Sequence, residues 1–203
     1  MENNKVVITG FINAGFELDH VMFGKKSYKS YIVSCRESGT EDIIPVILPE
    51  DKMDYSPEDY AGKYVRILGQ FRSHYCRNNQ EQKKSLQIFT REIKIITRDY
   101  KPDTNEVVLN GYICNEPIYR KTPLGREIAD VMFAVNRLHK KTDYIPCIFW
   151  GRNARMASSI KVGTELVISG RMKSRKYIKK YPDGTVKQKT AYEVSVGNLE
   201  VIG

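Results

Sequence analysis

The chain repeats itself at a constant spacing. Residues Asn4–Ile12 (NKVVITGFI) return as Asn105–Ile113 (NEVVLNGYI), and residues 42–47 return as 143–148, each 101 positions later. Gly62 and Gly69 return at the same spacing, as Gly163 and Gly170. A repeat of this length that keeps its apolar and glycine positions is typical of one domain present twice. The 203 residues therefore divide into two domains of about 100 residues each.

The ends of the two copies place the domain boundaries. The last apolar segment of each copy, residues 92–96 and 198–202, matches at a spacing about five residues longer than the rest. The second copy therefore has a longer insertion just before its final strands. Residues 97–104, which are mostly polar and include Pro102, form the predicted linker. We place the two domains at residues 3–98 and 104–203.

Each copy has the pattern of a small β-barrel. The second strands are predicted at Tyr28–Cys35 and at residues 128–136, where apolar and polar side chains alternate. A short helix is expected between the third and fourth strands. It begins at Ser56 and Pro57 in the first copy and spans residues 153–160 in the second. Five strands with a helix at that point are typical of the OB-fold, so we predict an all-β protein of tandem OB-fold five-stranded barrels, with one short helix per domain.

The third strand of the second copy, residues 143–151, is apolar on both faces. Ile145, Cys147 and Phe149 share one face, which suits a core, because side chains alternate along a strand. The other face has Tyr144 and Trp150 at its two ends. That face needs a cover, and another sheet, a second subunit or a flat ligand such as a nucleobase would each provide one.

The charge of the chain favours a polyanionic partner. The formal net charge is +9 and the isoelectric point is about 9.3. Nucleic acid is the first candidate and an anionic membrane surface the second. The chain has no signal-peptide pattern and no apolar run long enough to span a bilayer, so we expect a cytoplasmic protein.

Metal binding and catalysis are not indicated. Cys35, Cys76, Cys114 and Cys147 form no Cys-x-x-Cys pair and have no histidine at metal-ligand spacing. We expect them to be buried free thiols. No nucleophile, acid–base pair or phosphate loop has the required spacing. The sequence predicts a protein that is not an enzyme and needs no cofactor or metal.

The second copy resembles the bacterial single-stranded DNA-binding protein family along nearly its whole length. The resemblance rests on an ordered set of short motifs: residues 110–112 (NGY), 133–137 (FAVNR), 145–151 (IPCIFWG), 169–171 (SGR), 174–177 (SRKY) and 183–184 (DG). Members of that family usually assemble four OB domains, which implies a homodimer for a chain with two. Members of the family usually end in an acidic tip that recruits partners. We expect this chain to have no such tip.

The resemblance implies a DNA-binding surface on the second copy. Tyr144, Trp150 and Tyr177 fall on base-stacking positions of the family motif, and His139 replaces a frequent aromatic residue. A basic segment follows, read as a protruding hairpin with its turn at Asp183-Gly184. Its cations and central aromatic residue are Arg171, Lys173, Arg175, Lys176, Lys179, Lys180 and Tyr181. Two plainer readings stay open: a solvated surface hairpin, and an ordinary core or interface tryptophan.

The first copy is predicted to have a degenerate DNA face. Residues 1–102 contain 16 basic and 14 acidic residues, a net charge of +2, whereas residues 103–203 contain 17 and 10, a net charge of +7. Ile43, Pro49 and Cys76 stand where the second copy has its three stacking aromatic residues. Phe71, His74 and Tyr75 lie near the third position and could stack or pack. We expect the first domain to serve assembly or to bind DNA weakly.

These observations predict sequence-independent binding of single-stranded DNA in replication, recombination and repair. Stacking aromatic residues interleaved with cations are what such binders need. Two alternatives remain: a replication-restart or RNA-binding OB protein, and a non-enzymatic module for protein assembly. We expect single-stranded DNA as the partner and no interaction with a membrane.

Overall fold

Each repeat forms six strands in the same order. The computed structural model describes residues 3–78, 81–98, 102–138, 141–181 and 183–202, without the side chains of residues 74–84. The strands of the first repeat are β1 (Asn4–Ile12), β2 (Glu17–Met22), β3 (Lys25–Cys35), β4 (Glu41–Pro49), β5 (Tyr64–Asn78) and β6 (Glu81–Ile95). Those of the second are β7 (Asn105–Ile113), β8 (Ile118–Lys121), β9 (Glu127–Arg137), β10 (Lys141–Trp150), β11 (Glu165–Lys180) and β12 (Val186–Val201).

Five strands of each repeat close into a barrel. In the first repeat β1 pairs with β3 and β5, β3 pairs with β4, β4 runs parallel to β6, and β6 pairs with β5. The second repeat has the same ring, with β7, β9, β10, β12 and β11 in the corresponding places. The short strands β2 and β8 are additions that pair only with β3 and β9 among the described residues. The prediction of tandem OB-fold barrels is confirmed.

Glycines allow the first strand of each barrel to cross to its neighbour. A Cβ atom at Gly111 would lie 2.2 Å from the carbonyl oxygen of Ala134, and one at Gly10 would lie 2.2 Å from that of Val33. No other residue fits a contact this close. The barrels therefore close at these two positions because a side chain is missing there.

The predicted helix forms in the second repeat only. There α1 covers Arg152–Ser158. The first repeat has two 3-10 turns instead, Glu50–Lys52 and Pro57–Tyr60. The prediction of a capped helix after Ser56 is wrong in this respect, because the Ser56 hydroxyl donates to the Asp59 carboxylate at 2.5 Å and makes no cap to the backbone. Gly62, at φ 68°, ends the segment before a longer helix can form.

The two barrels are joined through their first strands. β1 and β7 pair antiparallel, and Val6 lies opposite Val107, its own counterpart in the repeat. The other pairs extend symmetrically on either side, so a pseudo-twofold axis passes between these two valines. The resulting sheet is continuous from β6 through β5, β1, β7 and β11 to β12. One contiguous set of buried apolar side chains extends through both repeats.

The end of the linker is fixed to the first barrel. The carboxylate of Asp103, which is 8% exposed, accepts hydrogen bonds from the Cys35 backbone N–H at 2.7 Å and the Tyr64 hydroxyl at 2.6 Å. The Thr104 backbone N–H donates to Thr9 at 2.8 Å. A buried carboxylate with two donors is costly to remove. Asp103 and Thr104 are therefore an ordered part of the contact between the domains.

Two buried carboxylates link the barrels beside that sheet. Asp42 of β4 accepts a hydrogen bond from the Ser174 backbone N–H at 3.0 Å, across the domain boundary. Asp143 of β10 accepts one from the Ser73 backbone N–H at 2.7 Å. These residues are counterparts in the repeat, so the same bond is made twice around the pseudo-twofold axis. Both aspartates are fully buried.

Candidate nucleic-acid interface

The aromatic residues of β10 lie on the outside of the second barrel. Ile145, Cys147 and Phe149 are at most 1% exposed on the inner face, as predicted. On the outer face Tyr144 is 39% exposed and Trp150 is half-buried. β10 runs between β9 and β12, so this face is a surface of the barrel and no part of its core.

Trp150 is held in place by a polar and a cationic neighbour. Its indole N–H donates to the Ser195 hydroxyl at 3.0 Å. The Lys173 ammonium lies 5.1 Å from the centre of the indole ring. The hydrogen bond fixes the ring orientation, and the cation–π contact keeps the ammonium group beside the ring. This pair combines the two interactions that single-strand binding requires.

One row of side chains on β11 leads from the barrel into a hairpin arm. Arg171, Lys173, Arg175, Tyr177 and Lys179 alternate along the strand and share a face, whereas Met172 points the other way and is fully buried. The pairing of β11 with β12 continues to Lys180 opposite Val186. The strand is exposed from residue 175 onward. The predicted protruding hairpin is therefore present.

Aromatic residues of the arm are surrounded by cations. Tyr177 is 37% exposed, and the Arg175 guanidinium lies 5.8 Å from its ring centre. Tyr181 has three lysine ammonium groups within 6 Å of its ring centre: Lys179 at 5.0 Å, Lys189 at 5.3 Å and Lys187 at 5.6 Å. Close positive charges repel one another, and an anion between them relieves that repulsion. The arm is suited to a phosphate backbone.

The hairpin turn has the residues that the sequence suggested. The Asp183 carboxylate accepts hydrogen bonds from the Thr185 backbone N–H at 2.9 Å and from its hydroxyl at 2.7 Å. These bonds lower the pKa of Asp183. Gly184 follows at φ 82°, a conformation that glycine adopts without strain. The acid in the basic hairpin therefore has a structural role in the turn.

Burial shifts the pKa values of charged groups at the base of the arm. Lys173 and Glu193 face each other in the β11–β12 register. Burial lowers the pKa of Lys173 and raises that of Glu193, although Arg175 and Lys173 pull the latter down. A half-buried carboxylate beside this row of cations would repel a polyanion when it is ionised. Its protonation would remove that repulsion.

The other predicted site residues are placed differently. Arg171 is turned toward the first domain, where its Nη2 atom lies 3.7 Å from an Asp42 carboxylate oxygen, and burial lowers its pKa. Lys176 and Lys180 are exposed on the face of β11 opposite Tyr177. His139 lies outside the described residues. The structure therefore brings Trp150, Lys173, Arg175 and Tyr177 to one face and sets the remaining cations around it.

Sequence comparison of the repeats missed an aromatic residue in the first barrel. Phe89 of β6 lies opposite Ile47 of β4, as Ser195 lies opposite Ile148 in the second repeat. The Arg72 guanidinium is 4.2 Å from its ring centre. A spacing of 106 residues, already visible in the closing strands, would have found this match. The pair lines a groove of about 760 Å³.

Of the residues named for stacking in the first copy, Phe71 is the one whose side chain the structure describes. Phe71 is fully buried in the core, so its possible stacking role is wrong. The side chains of His74, Tyr75 and Cys76 lie outside the described residues. Ile43 and Pro49 are on β4, where the second repeat has Tyr144 and Trp150. Among the described side chains Phe89 supplies an aromatic ring to this face, and it comes from another strand, β6.

Other kinds of site are absent from the described residues. In that part of the chain no three His, Cys, Asp or Glu side chains are close enough to hold a metal ion. Cys147 is buried, whereas Cys35 and Cys114 are half-buried, so the expectation of burial is wrong for these two. Burial raises the pKa of Cys147. None of the described helices is long and apolar enough to cross a membrane.

Comparison with known proteins finds the same family over the second repeat. The model of the "Single-strand binding protein family" matches residues 104–202. Single-stranded DNA-binding protein A of Bacillus subtilis is 35% identical over 80 residues, which are 36% of this chain and 46% of that protein. The single-stranded DNA-binding protein of Oceanobacillus iheyensis is 34% identical over 80 residues, 36% of this chain and 50% of that protein. The chain spans about half the length of the curated relatives it matches.

The fold of the whole chain is also known. The wild-type single-stranded DNA binding protein of Thermus aquaticus superposes with a TM-score of 0.71 at 20% identity, covering 98% of this chain and 93% of that one. A deletion mutant of the same protein gives a TM-score of 0.73 at 21% identity, covering 98% and 94%. At this level of identity the match concerns the fold. Both repeats and their arrangement therefore have a counterpart among solved structures.

Proposed function

Because residues 104–202 match the model of the single-strand binding protein family, we propose that this chain binds single-stranded DNA without regard to sequence. The observation that carries the proposal is the outer face of the second barrel. There Trp150 is held by Ser195 at 3.0 Å and has the Lys173 ammonium 5.1 Å from its ring. An oriented aromatic ring with a cation beside it recognises a base and its phosphate, which every nucleotide has.

Bases stack in this proposal on Tyr144, Trp150 and Tyr177. Stacking of one base on one aromatic side chain contributes about 1–3 kcal/mol, and it tolerates any sequence because every base has a flat face. Tyr144 and Trp150 lie at the two ends of one strand face, and Tyr177 is on the arm. A strand that contacts all three crosses the barrel and continues along the hairpin.

Phosphates lie along the basic row of β11 and the arm. The contributing cations are Lys173, Arg175, Lys176, Lys179 and Lys180, with Arg171 at the domain boundary and Tyr181 among the arm lysines. Neutralising phosphates releases counterions, so the affinity falls as salt rises. His139 belongs to the same proposed surface through its position in the sequence. The second domain supplies most of the affinity.

The binding serves to protect exposed single strands during replication, recombination and repair in the cytoplasm. The protein does this without catalysis, as a stoichiometric coat on the DNA. Competition between matched RNA and DNA oligomers for this one site tests an RNA-binding role. The 2′-hydroxyl of RNA is the feature on which such a choice depends.

The chain assembles as a homodimer, which brings four OB barrels together. Support comes from the continuous sheet that includes β1 and β7. Its solvent face has four half-buried or exposed apolar side chains on adjacent strands: Val7, Leu68, Val108 and Val167. On this face Val108 lies opposite Lys5 and Val7 lies opposite Glu106, and a cluster of exposed apolar side chains marks a surface that another protein covers. A second copy of the same sheet provides a self-complementary cover about a twofold axis.

One titration tests the proposed function. Trp150 is the only tryptophan of the chain, so its fluorescence reports on this face alone. We expect oligo-dT to quench it with a saturable, salt-dependent curve. A module for protein assembly would show no quenching at any DNA concentration, and that result would overturn the proposal.

A further inference from the structure

We infer that the first domain has its own contact site for single-stranded nucleic acid, built from Phe89, Arg72 and Phe23. The inference rests on the proposed function and extends it to the first domain. There Ile43, Pro49 and Cys76 stand at the repeat positions of the three stacking aromatic residues. The three residues line the groove of about 760 Å³ in the first barrel. Two aromatic rings and a cationic lining identify its occupant as a base with its phosphates.

The floor of the groove reproduces the Trp150 site with different residues. Arg72 is the repeat counterpart of Lys173, and each cation lies over an aromatic ring: Arg72 at 4.2 Å from Phe89, Lys173 at 5.1 Å from Trp150. The ring comes from β10 in the second repeat and from β6 in the first. The register shows why this is possible, because Phe89 occupies the place of Ser195, whose hydroxyl accepts the hydrogen bond from the indole N–H. The cation at this repeat position therefore contacts an aromatic ring in both domains, although the two rings lie on different strands.

The rim of the groove presents a second ring at a strained position. Phe23 is 98% exposed at the turn between β2 and β3. Its φ is 51° and that of Gly24 is 75°, so both central turn residues are left-handed. Asn and Gly are the residues that suit such a turn. Neither packing nor backbone geometry therefore accounts for a phenylalanine here, whereas a ring at the edge of a base-binding groove does.

The lining of the groove is cationic. Seven of its side chains are Lys or Arg, and Asp51 is its one carboxylate. Lys26 and Lys52 have carboxylate partners at 3.3 and 3.7 Å, and Arg137 pairs with Asp143 at 2.9 Å. The burial of Arg72 lowers its pKa, an effect to which Arg137 adds. Beyond these pairs, Lys25, Arg72 and Lys141 make the lining positive, and a phosphate would compensate that charge.

The groove adjoins the proposed site of the second domain. Arg137 and Lys141 of the second repeat line it together with Ser73 of the first. The Tyr144 backbone N–H is 3.4 Å from the Ser73 hydroxyl. A strand that leaves Tyr144 at this boundary therefore enters the groove directly. The two sites form one path across both barrels.

Substitutions in the full-length chain test this inference. Phe23→Asn removes the ring and suits the left-handed turn, so we expect no loss of thermal stability. Phe89→Leu removes the second ring and keeps an apolar side chain. The matched control is Val21→Thr, which changes an exposed residue of the same hairpin that does not line the groove.

Two lengths of oligo-dT separate the two domains. The short one is the shortest that saturates the quenching of Trp150, and the long one has twice that length. We expect the double variant Phe23→Asn/Phe89→Leu to bind the long oligomer roughly tenfold more weakly than wild type. The short oligomer and the Val21→Thr control should bind as wild type. Photo-crosslinking of the long oligomer should give adducts on Phe23 or Phe89.

The outcomes distinguish this inference from the proposed function. If wild type neither quenches nor binds, the proposed function fails. If wild type quenches normally and the double variant binds the long oligomer equally well, only the inference fails. It also fails if the double variant changes the oligomeric state and not the affinity, because Phe23 is then a contact between chains.

Discussion

Trp150 donates a hydrogen bond to Ser195 at 3.0 Å, from one strand of the outer face to the next. The two strands, β10 and β12, run parallel at this point. The bond satisfies the one polar atom of the indole and leaves its ring half-buried on the surface. The tryptophan is therefore oriented before any ligand arrives, which lowers the entropic cost of stacking.

Replacing Trp150 should weaken DNA binding without altering its salt dependence. We expect Trp150→Ala to reduce the free energy of binding to oligo-dT by about 1–3 kcal/mol, since one stacking surface is lost and no phosphate contact is removed. Trp150→Phe is the matched variant, and it should retain most of the affinity. Fluorescence anisotropy of a labelled oligomer measures both. An unchanged affinity in Trp150→Ala would place the site elsewhere.

Removing two cations of the β11 row should change the salt dependence instead. For Lys173→Gln/Arg175→Gln we expect the slope of log K against log salt to fall in magnitude by about 1.4, at about 0.7 per phosphate contact on a single strand. The control is Lys63→Gln/Lys161→Gln, which removes two exposed cations far from this row. Equal slopes in the two double variants would contradict the proposed phosphate path.

The affinity should rise as the pH falls, because of Glu193. Burial raises the pKa of this carboxyl above its ordinary value of 4.5. The neutral form, favoured at low pH, repels no phosphate, so protonation and DNA binding support each other. Glu193→Gln should bind more tightly than wild type at neutral pH and lose this part of the pH dependence. An identical pH profile in the variant would assign the effect to other groups.

The same shift makes Glu193 a cost to folding at neutral pH. Its pKa is higher in the folded state than in the unfolded chain, so stability falls as the pH rises through the folded value. Glu193→Gln should therefore raise the midpoint of urea unfolding at neutral pH and leave it unchanged at acidic pH. A lower midpoint at neutral pH would show that the carboxylate stabilises the fold.

The domain boundary should depend on its buried aspartates. Asp143 has an Arg137 nitrogen at 2.9 Å, not aligned for a hydrogen bond, and accepts a well-aligned bond from the Ser73 backbone N–H. Asp143→Asn should lower the free energy of unfolding by about 3 kcal/mol, because it leaves a partly buried cation without its partner. Asp51→Asn, at an exposed carboxylate, should change it by less than about 0.5 kcal/mol. Urea denaturation gives both values.

The proposed dimer should dissociate when its apolar sheet face is charged. Val108 is 40% exposed on β7, and Val108→Glu places a carboxylate at the centre of that face. Light scattering should then report one chain per particle, with Trp150 quenching by a short oligomer preserved. The exposed substitution Val186→Glu on the hairpin arm is the control for added charge. A dimer that survives Val108→Glu would exclude this face as the contact.

Sequence reasoning found the barrels because their signals are local and repeated. The alternation of side chains around Gly111 and along residues 143–149 indicates which of them face inward. The constant repeat spacing then aligns the two copies. Helix formation in the first repeat was harder to predict, since Pro57 and Gly62 favour helix ends and leave too little chain between them. Both residues were interpreted as the limits of a helix, whereas the structure has only the 3-10 turn Pro57–Tyr60 between them.

The site was only partly predictable, because side chains from different strands converge. Lys173 and Trp150 could be placed on one surface, but their contact depends on the register of three strands. The orientation of Arg171 toward Asp42 involves the other domain, and no pattern within one repeat contains it. Phe89 was missed for the same reason. It aligns with Ser195 in the repeat, and its likeness to Trp150 lies in the contact that each ring makes with a cation.

The axis between Val6 and Val107 relates two unlike faces, and this gives the protein a direction. A true twofold would offer a bound strand the same contacts whether its 5′ end entered from one side or the other. Here one end of the path is an indole under a lysine and the other is a phenylalanine under an arginine. The two orientations of a bound nucleic acid strand would then differ in binding free energy, so the protein would distinguish the 5′ end of the strand from its 3′ end.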